Sequence, residues 1–176
     1  MKIALSGKPG VGKSTVLRAV LAQCGQRPIV GLYTRPVFEG EQRVGFSLCS
    51  QDGRERVFSH VAWSAAPLRF HQYGLQLEPF ETLACEILSS ATPEALLVID
   101  ELGAMETSAE RFVDGVKRVF QSNQDVLAVI QQRALDFWLA AIGRANLDQL
   151  LIVDQASRDR WPSYLLSWLN PLPRDQ

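Results

Sequence analysis

The sequence predicts an α/β domain: a mostly parallel sheet covered by helices on both faces, with an antiparallel β-meander inserted early. Three observations lead there. Strand-type apolar runs alternate with stretches of helical periodicity along the chain, the pattern of a parallel sheet joined by helical crossovers. The run Ala95, Leu96, Leu97, Val98, Ile99 is continuously apolar, as a strand covered on both faces must be. Between residues 35 and 60 the pattern changes to three short β-type runs separated by turn signals. A length of 176 residues and a hydrophobic content of 47% fit a single domain, 1–176, with the meander at about 34–61.

Taken in order, residues 2–5 make a short apolar strand. Leu17, Val20, Leu21 and Cys24 recur at helical spacing, so a helix runs from Ser14 to about residue 24. Pro28 closes a connection before a second apolar strand at 29–33. The meander runs follow at 35–38, 43–48 and 55–60, divided by Glu39-Gly40-Glu41 and by a turn around Asp52-Gly53. Val44, Phe46 and Leu48 alternate onto one face, which leaves one packed side and one wet side. From 61 to 79 the aromatic residues Trp63, Phe70 and Tyr73 are scattered without period, which reads as a loop or partly ordered cover. Phe80, Leu83, Ala84, Ile87 and Leu88 share one stripe of a helix over 78–90, ahead of the strand at 95–99. Thr107 followed by Glu110 predicts a capping box at the start of a third helix, whose buried stripe is Phe112, Val113, Val116, Val119 and Phe120. A strand at 126–130, a helix at 135–142, a last strand at 150–153 and a terminal helix from Asp154 complete the alternation. Trp161, Leu165, Leu166, Trp168 and Leu169 pack that helix, and Pro171 and Pro173 stop it.

Gly7-Lys8-Pro9-Gly10-Val11-Gly12-Lys13-Ser14 fits G-x-x-x-x-G-K-[S/T], the Walker A pattern of chains that hold a nucleoside triphosphate. It sits between a strand and a helix, the context the chemistry requires. Glycines let the main chain curl around phosphate oxygens, and the turned-in N–H groups are reinforced by the positive end of the following helix. Lys13 is expected to reach the β and γ phosphates and Ser14 to ligate magnesium. At the C-terminal end of the strand 95–99 stand Asp100 and Glu101, a Walker B pattern. Asp100 would hold Mg2+ opposite Ser14, and Glu101 would polarise a water aimed at the γ phosphorus. An adjacent glutamate favours hydrolysis over transfer to a substrate hydroxyl. No Asn-Lys-x-Asp segment is present to select guanine.

These motifs, with Gly31-Leu32-Tyr33-Thr34-Arg35, Arg43-Val44-Gly45-Phe46, Tyr73-Gly74 and Leu102-Gly103-Ala104-Met105-Glu106, resemble a known family. It is the small P-loop nucleoside-triphosphatases first described from thermophiles, whose vertebrate members are called cancer-related nucleoside-triphosphatase. The resemblance runs in order across nearly the whole chain. It implies a three-layer, RecA-like P-loop NTPase core with a β-meander insertion, and slow, magnesium-dependent hydrolysis of ATP, GTP and other triphosphates to diphosphate and phosphate. By position it places nucleotide binding on Gly7, Lys8, Pro9, Gly10, Val11, Gly12, Lys13, Ser14 and Thr15, the metal on Ser14 and Asp100, and catalysis on Lys13, Glu101 and Arg35, with a further role for Glu106. Three places depart from the family pattern. Ser14-Thr15 stands where two threonines are usual and keeps the metal-binding hydroxyl. Gln131-Gln132-Arg133 stands where threonine, histidine and a basic residue are usual, and Ser157-Arg158-Asp159 where Asn-Arg-Asp is usual. A glutamine can hydrogen-bond a phosphate or water but cannot take up a proton at neutral pH.

Eighteen Lys and Arg against nineteen Asp and Glu leave a net charge of −1, so nothing global attracts nucleic acid or acidic membranes. Glycine and lysine come too early for a signal-peptide core and no run approaches a membrane span, so a soluble cytoplasmic protein is expected. Cys24, Cys49 and Cys85 are widely spaced and read as reduced thiols, while His60 and His71 lack triad or metal spacing. Trp63 and Tyr73 read as packing residues ahead of base-stacking ones. Oligomeric state is left open. Two other activities share the same motifs: a P-loop kinase acting on a small-molecule acceptor, and a nucleotide-dependent switch for a protein or RNA partner.

Overall fold

The computed structural model describes residues 1–169. In chain order its elements are β1 (Lys2–Ser6), α1 (Lys13–Leu21), β2 (Ile29–Glu39), β3 (Gln42–Ser50), β4 (Glu55–His60), β5 (Leu68–Phe70), β6 (Tyr73–Leu75), α2 (Leu77–Ser90), β7 (Leu96–Leu102), α3 (Glu110–Gln121), β8 (Asp125–Ile130), α4 (Leu135–Ile142), β9 (Gln149–Ile152) and α5 (Trp161–Leu169). The strands form one sheet in the order β5-β6-β4-β3-β2-β7-β8-β1-β9. From β2 to β9 every neighbouring pair is parallel, and from β2 outwards to β5 every pair is antiparallel.

Because side chains alternate along a strand, the apolar runs load both faces of the parallel half. Ile3, Leu5, Leu96, Val98, Leu127 and Val129 pack beneath α1 and α5 with Val16, Leu17, Val20 and Leu165. Their neighbours Ala4, Leu97, Ile99, Val126, Ala128 and Ile130 pack on the other side, under α2, α3 and α4. There Phe80 meets Phe112 edge-on at 5.1 Å and Phe112 meets Trp138 at 5.8 Å. Burying each such aromatic or aliphatic side chain stabilises the fold by about 1.5–3 kcal/mol. The predicted three-layer α/β architecture is the one observed.

Four expectations change. The strands read at 29–33 and 35–38 are one strand, β2: Ile29 to Tyr33 pair with β7 and Leu32 to Glu39 with β3. The first meander strand is thus the projecting end of a core strand. Pro36 falls on that end, where β2 has a partner on one side only and a missing N–H is tolerated. The loop read at 61–79 contains the edge hairpin β5-β6, turned at His71 with φ 52°. Tyr73 is buried there against Phe46 at 5.3 Å, and its hydroxyl accepts a hydrogen bond from Arg43. Strands of three residues are too short for alternation to register in the sequence.

The capping box does not form either. Ala109 is the N-cap of α3, and the Thr107 hydroxyl instead donates to the Ala104 carbonyl at 2.8 Å within a 3-10 turn spanning Glu106–Ser108. Finally, α5 starts at Trp161 rather than Asp154, because Asp154 and Ser157 lock a turn reciprocally: Ser157 N–H donates to Asp154 Oδ1 at 2.8 Å and Asp154 N–H to Ser157 Oγ at 3.0 Å. Pro171 and Pro173 lie outside the described residues. Among the described residues no helix is long and apolar enough to cross a membrane.

Candidate functional site

β1 ends at Ser6, whose hydroxyl donates to the Ile130 carbonyl at the end of β8. The chain then curls into α1 through Gly7, Gly10 and Gly12, at φ 146°, 77° and 103°. Gly7 is hemmed in: a Cβ there would stand 2.3 Å from the Val153 carbonyl oxygen. Lys13 opens α1 and is buried, its Nζ donating to the carbonyls of Gly7 at 3.0 Å and Lys8 at 3.1 Å. The ammonium therefore closes the loop from within.

The acidic pair arrives from β7. Pairing with β8 is irregular between Asp100 and Leu102, so Leu102 returns to the α2–α3 side with Ile99 while two consecutive acidic residues are released at the strand end. Asp100 Oδ1 accepts a hydrogen bond from Ser14 Oγ at 3.2 Å, across 86 residues of sequence. Burial pushes the Asp100 carboxyl above its ordinary range, and the Ser14 hydrogen bond and Lys13 charge pull it part of the way back. Burial, with the neighbouring Asp100 charge, also raises Glu101, against the pull of Lys13, Gln131 and Arg133.

A cavity of about 780 Å3 lies between these elements. Gly7, Pro9, Gly10, Gly12, Lys13, Ser14 and Thr15 of the loop form one wall, without the side chains of Lys8 and Val11, and Glu101, Gln131, Gln132 and Arg133 form the other. Gln131 is placed there because β8 stands between β1 and β7. Its Nε2 donates to Glu101 Oε1 at 3.0 Å. A second groove of about 370 Å3 shares Gly12 and Thr15 with the first and continues past Ala19 to Arg158, Asp159 and Pro162.

Of the residues singled out in the sequence, the loop, Lys13, Ser14, Asp100 and Glu101 come together. Arg35 does not join them: it lies on the exposed projecting end of β2, 5.9 Å from the Tyr33 ring, and lines neither cavity. Trp63 and Tyr73 also lie outside the cavity. Ser157 is buried in its turn and faces no groove. Glu106, to which the resemblance gives a further role, is fully buried and accepts a hydrogen bond from Thr34 Oγ1 at 3.1 Å. Burial, with the nearby Glu101 charge, raises its carboxyl to about 7. The cysteines are free thiols, Cys24 and Cys49 buried.

A family model described as "NTPase" matches residues 2–166. The nucleoside-triphosphatase THEP1 of Thermotoga maritima is 33% identical over 173 residues, covering 96% of this chain and 95% of that protein. The crystal structure of THEP1 from the hyperthermophile Aquifex aeolicus superposes with a TM-score of 0.79 at 29% identity, over 96% of this chain and 99% of that one. The solution structure of a human cancer-related nucleoside triphosphatase gives 0.79 at 26% identity, over 99% of both chains.

Proposed function

Since the chain belongs to the NTPase family, we propose that it hydrolyses nucleoside 5′-triphosphates to diphosphate and phosphate, dependent on magnesium and with little preference for the base. The observation that carries the mechanism is Glu101, a half-buried carboxylate with a raised proton affinity on the cavity wall that also holds Gln131, facing the glycine loop. Loop N–H groups and the first turn of α1 bind the phosphate oxygens, and Lys13 turns part of its hydrogen bonding from the carbonyls of Gly7 and Lys8 to the β and γ phosphates.

The donor set fits magnesium: Ser14 Oγ and Asp100 Oδ1 are hard oxygen ligands 3.2 Å apart, and this ion commonly takes one or two protein oxygens plus substrate phosphates. When bound, it neutralises charge on the phosphate oxygens. Glu101 accepts a proton from water as the new O–P bond forms and the bridging bond to the diphosphate breaks, the electron pair leaving on the diphosphate. The proton then passes to the released phosphate.

The second groove suits the base. Its walls are Gly12, Thr15, Val16, Ala19, Pro162 and the exposed Arg158 and Asp159, and among the described residues that line it there is no buried hydrogen-bonding side chain to reject an ill-matched base. Free thiols accord with a cytoplasmic setting. The test is phosphate release from ATP, GTP, CTP and UTP with Mg2+ and with a chelator. Release from all four within about tenfold of one another, abolished by chelation and restored by Mg2+, is expected. Release that falls when a small-molecule acceptor becomes phosphorylated would make the enzyme a phosphotransferase instead.

A further inference from the structure

We propose that Arg133 is a catalytic residue supplied by this chain to its own site, its guanidinium meeting the γ-phosphoryl group in the transition state, and that Gln131 is the positioning residue that aims Arg133 and Glu101 together. The inference rests on the hydrolase reading above.

Both ends of the Gln131 side chain are engaged. Its Oε1 accepts hydrogen bonds from Arg133 Nε at 2.7 Å and from the Ala104 N–H at 3.1 Å. Two donors converging on one end fix the orientation of the amide, so Nε2 is the end that donates to Glu101 Oε1 at 3.0 Å. One amide thus spans the water-activating carboxylate and a cation.

Arg133 is held a second way, with its guanidinium 5.0 Å from the centre of the Phe70 ring on the edge hairpin. With Nε tied to Gln131, the two terminal amino groups have no protein acceptor, and no carboxylate lies within 4.0 Å, among the described residues. A fixed guanidinium without a counter-ion, lining the same cavity as Lys13 and Glu101, offers a planar fork to two oxygens of a transferring phosphoryl group. Charge of this kind is worth most where it develops, in the transition state. The other nearby arginines are placed less well: Arg35 is outside the cavity, and Arg158 lines the second groove beside Asp159, at 3.5 Å.

The experiment compares kcat and KM for the full chain and for Arg133→Ala, Arg133→Lys, Gln131→Met and the Gln131→Met/Arg133→Ala double variant. Each is also titrated with a nucleoside diphosphate, with and without aluminium fluoride as a stand-in for the transferring group. Arg133→Ala is expected to lower kcat ~100-fold or more with KM within about threefold, to recover in part with added guanidinium ion, and to lose the tightening by fluoride while keeping diphosphate affinity. Lysine, a point charge, should recover little. Gln131→Met should lower kcat ~10-fold, and the arginine deletion should then cost less than it does in the parent chain.

An Arg133→Ala variant within threefold of a parent that turns over refutes the arginine role alone. Equal losses from that deletion with and without Gln131 refute the positioning role. A parent that neither releases phosphate nor tightens with aluminium fluoride refutes the hydrolase reading and this inference with it.

Discussion

Glu106→Gln isolates the least expected group in the site. Glu106 is 2% exposed, accepts a hydrogen bond from Thr34, and has its carboxyl raised from 4.5 to about 7. At ~1.4 kcal/mol for each tenfold change in proton affinity, the full penalty on its charged form is about 3 kcal/mol. Below pH 4.5 folded and unfolded chains are both protonated and nothing is lost. Between 4.5 and about 7 the unfolded chain gives up the proton while the folded chain keeps it, so stability falls as pH rises. Above about 7 both are ionised and the whole penalty is present. Glutamine keeps the shape and the acceptor for Thr34 but carries no charge at any pH.

Urea unfolding of both proteins at pH 5 and pH 8 reads the effect. The stability of Glu106→Gln relative to the parent should rise by about 2–3 kcal/mol between the two, or about 5–10 °C in Tm for a chain of this size. Groups that titrate alike in both proteins cancel. A difference constant within ~0.5 kcal/mol would mean that Glu106 ionises as in water, and would refute the buried clasp between β2 and the segment after β7.

Other changes follow from single contacts. Lys13→Ala removes the ammonium that both closes the loop and meets the phosphates, so triphosphate affinity by calorimetry and turnover should fall together, each by at least ~10-fold. Gly7→Ala sets a Cβ 2.3 Å from the backbone oxygen of Val153 at φ +146°, a clash no rotamer relieves. Nucleotide binding should weaken by more than about tenfold, with Tm lowered. Gly103→Ala would set a Cβ 2.5 Å from Glu106 Oε2 and cost about 1–3 kcal/mol, read by urea unfolding.

The sequence made the core legible because one short-range signal repeats: strands buried on both faces read as apolar runs, and helices that cover them carry a stripe. Ala95 to Ile99 and the Phe80-to-Leu88 stripe are found where the pattern puts them. The glycine loop and Asp100-Glu101 are contiguous motifs, equally visible before folding. What escaped depends on non-local geometry. That β2 runs on through Thr34 to Glu39 follows from a change of partner from β7 to β3, which no window of sequence contains. The burial of Glu106 reverses the usual meaning of an acidic residue near a helix start, because Thr34, 72 residues away, supplies its partner. Gln131 becomes a hub only because β8 lies between β1 and β7. Arg35 and Arg133 look alike in sequence, and the sheet sends one to an exposed projection and the other to the cavity wall.

Activation of water by Glu101 against a triphosphate held by the glycine loop is read by single-turnover phosphate release from Glu101→Gln, with triphosphate affinity measured on the same preparation. Affinity within about threefold of the parent and a rate lowered ~100-fold or more is the result predicted. A variant that binds and cleaves as fast as the parent would contradict it.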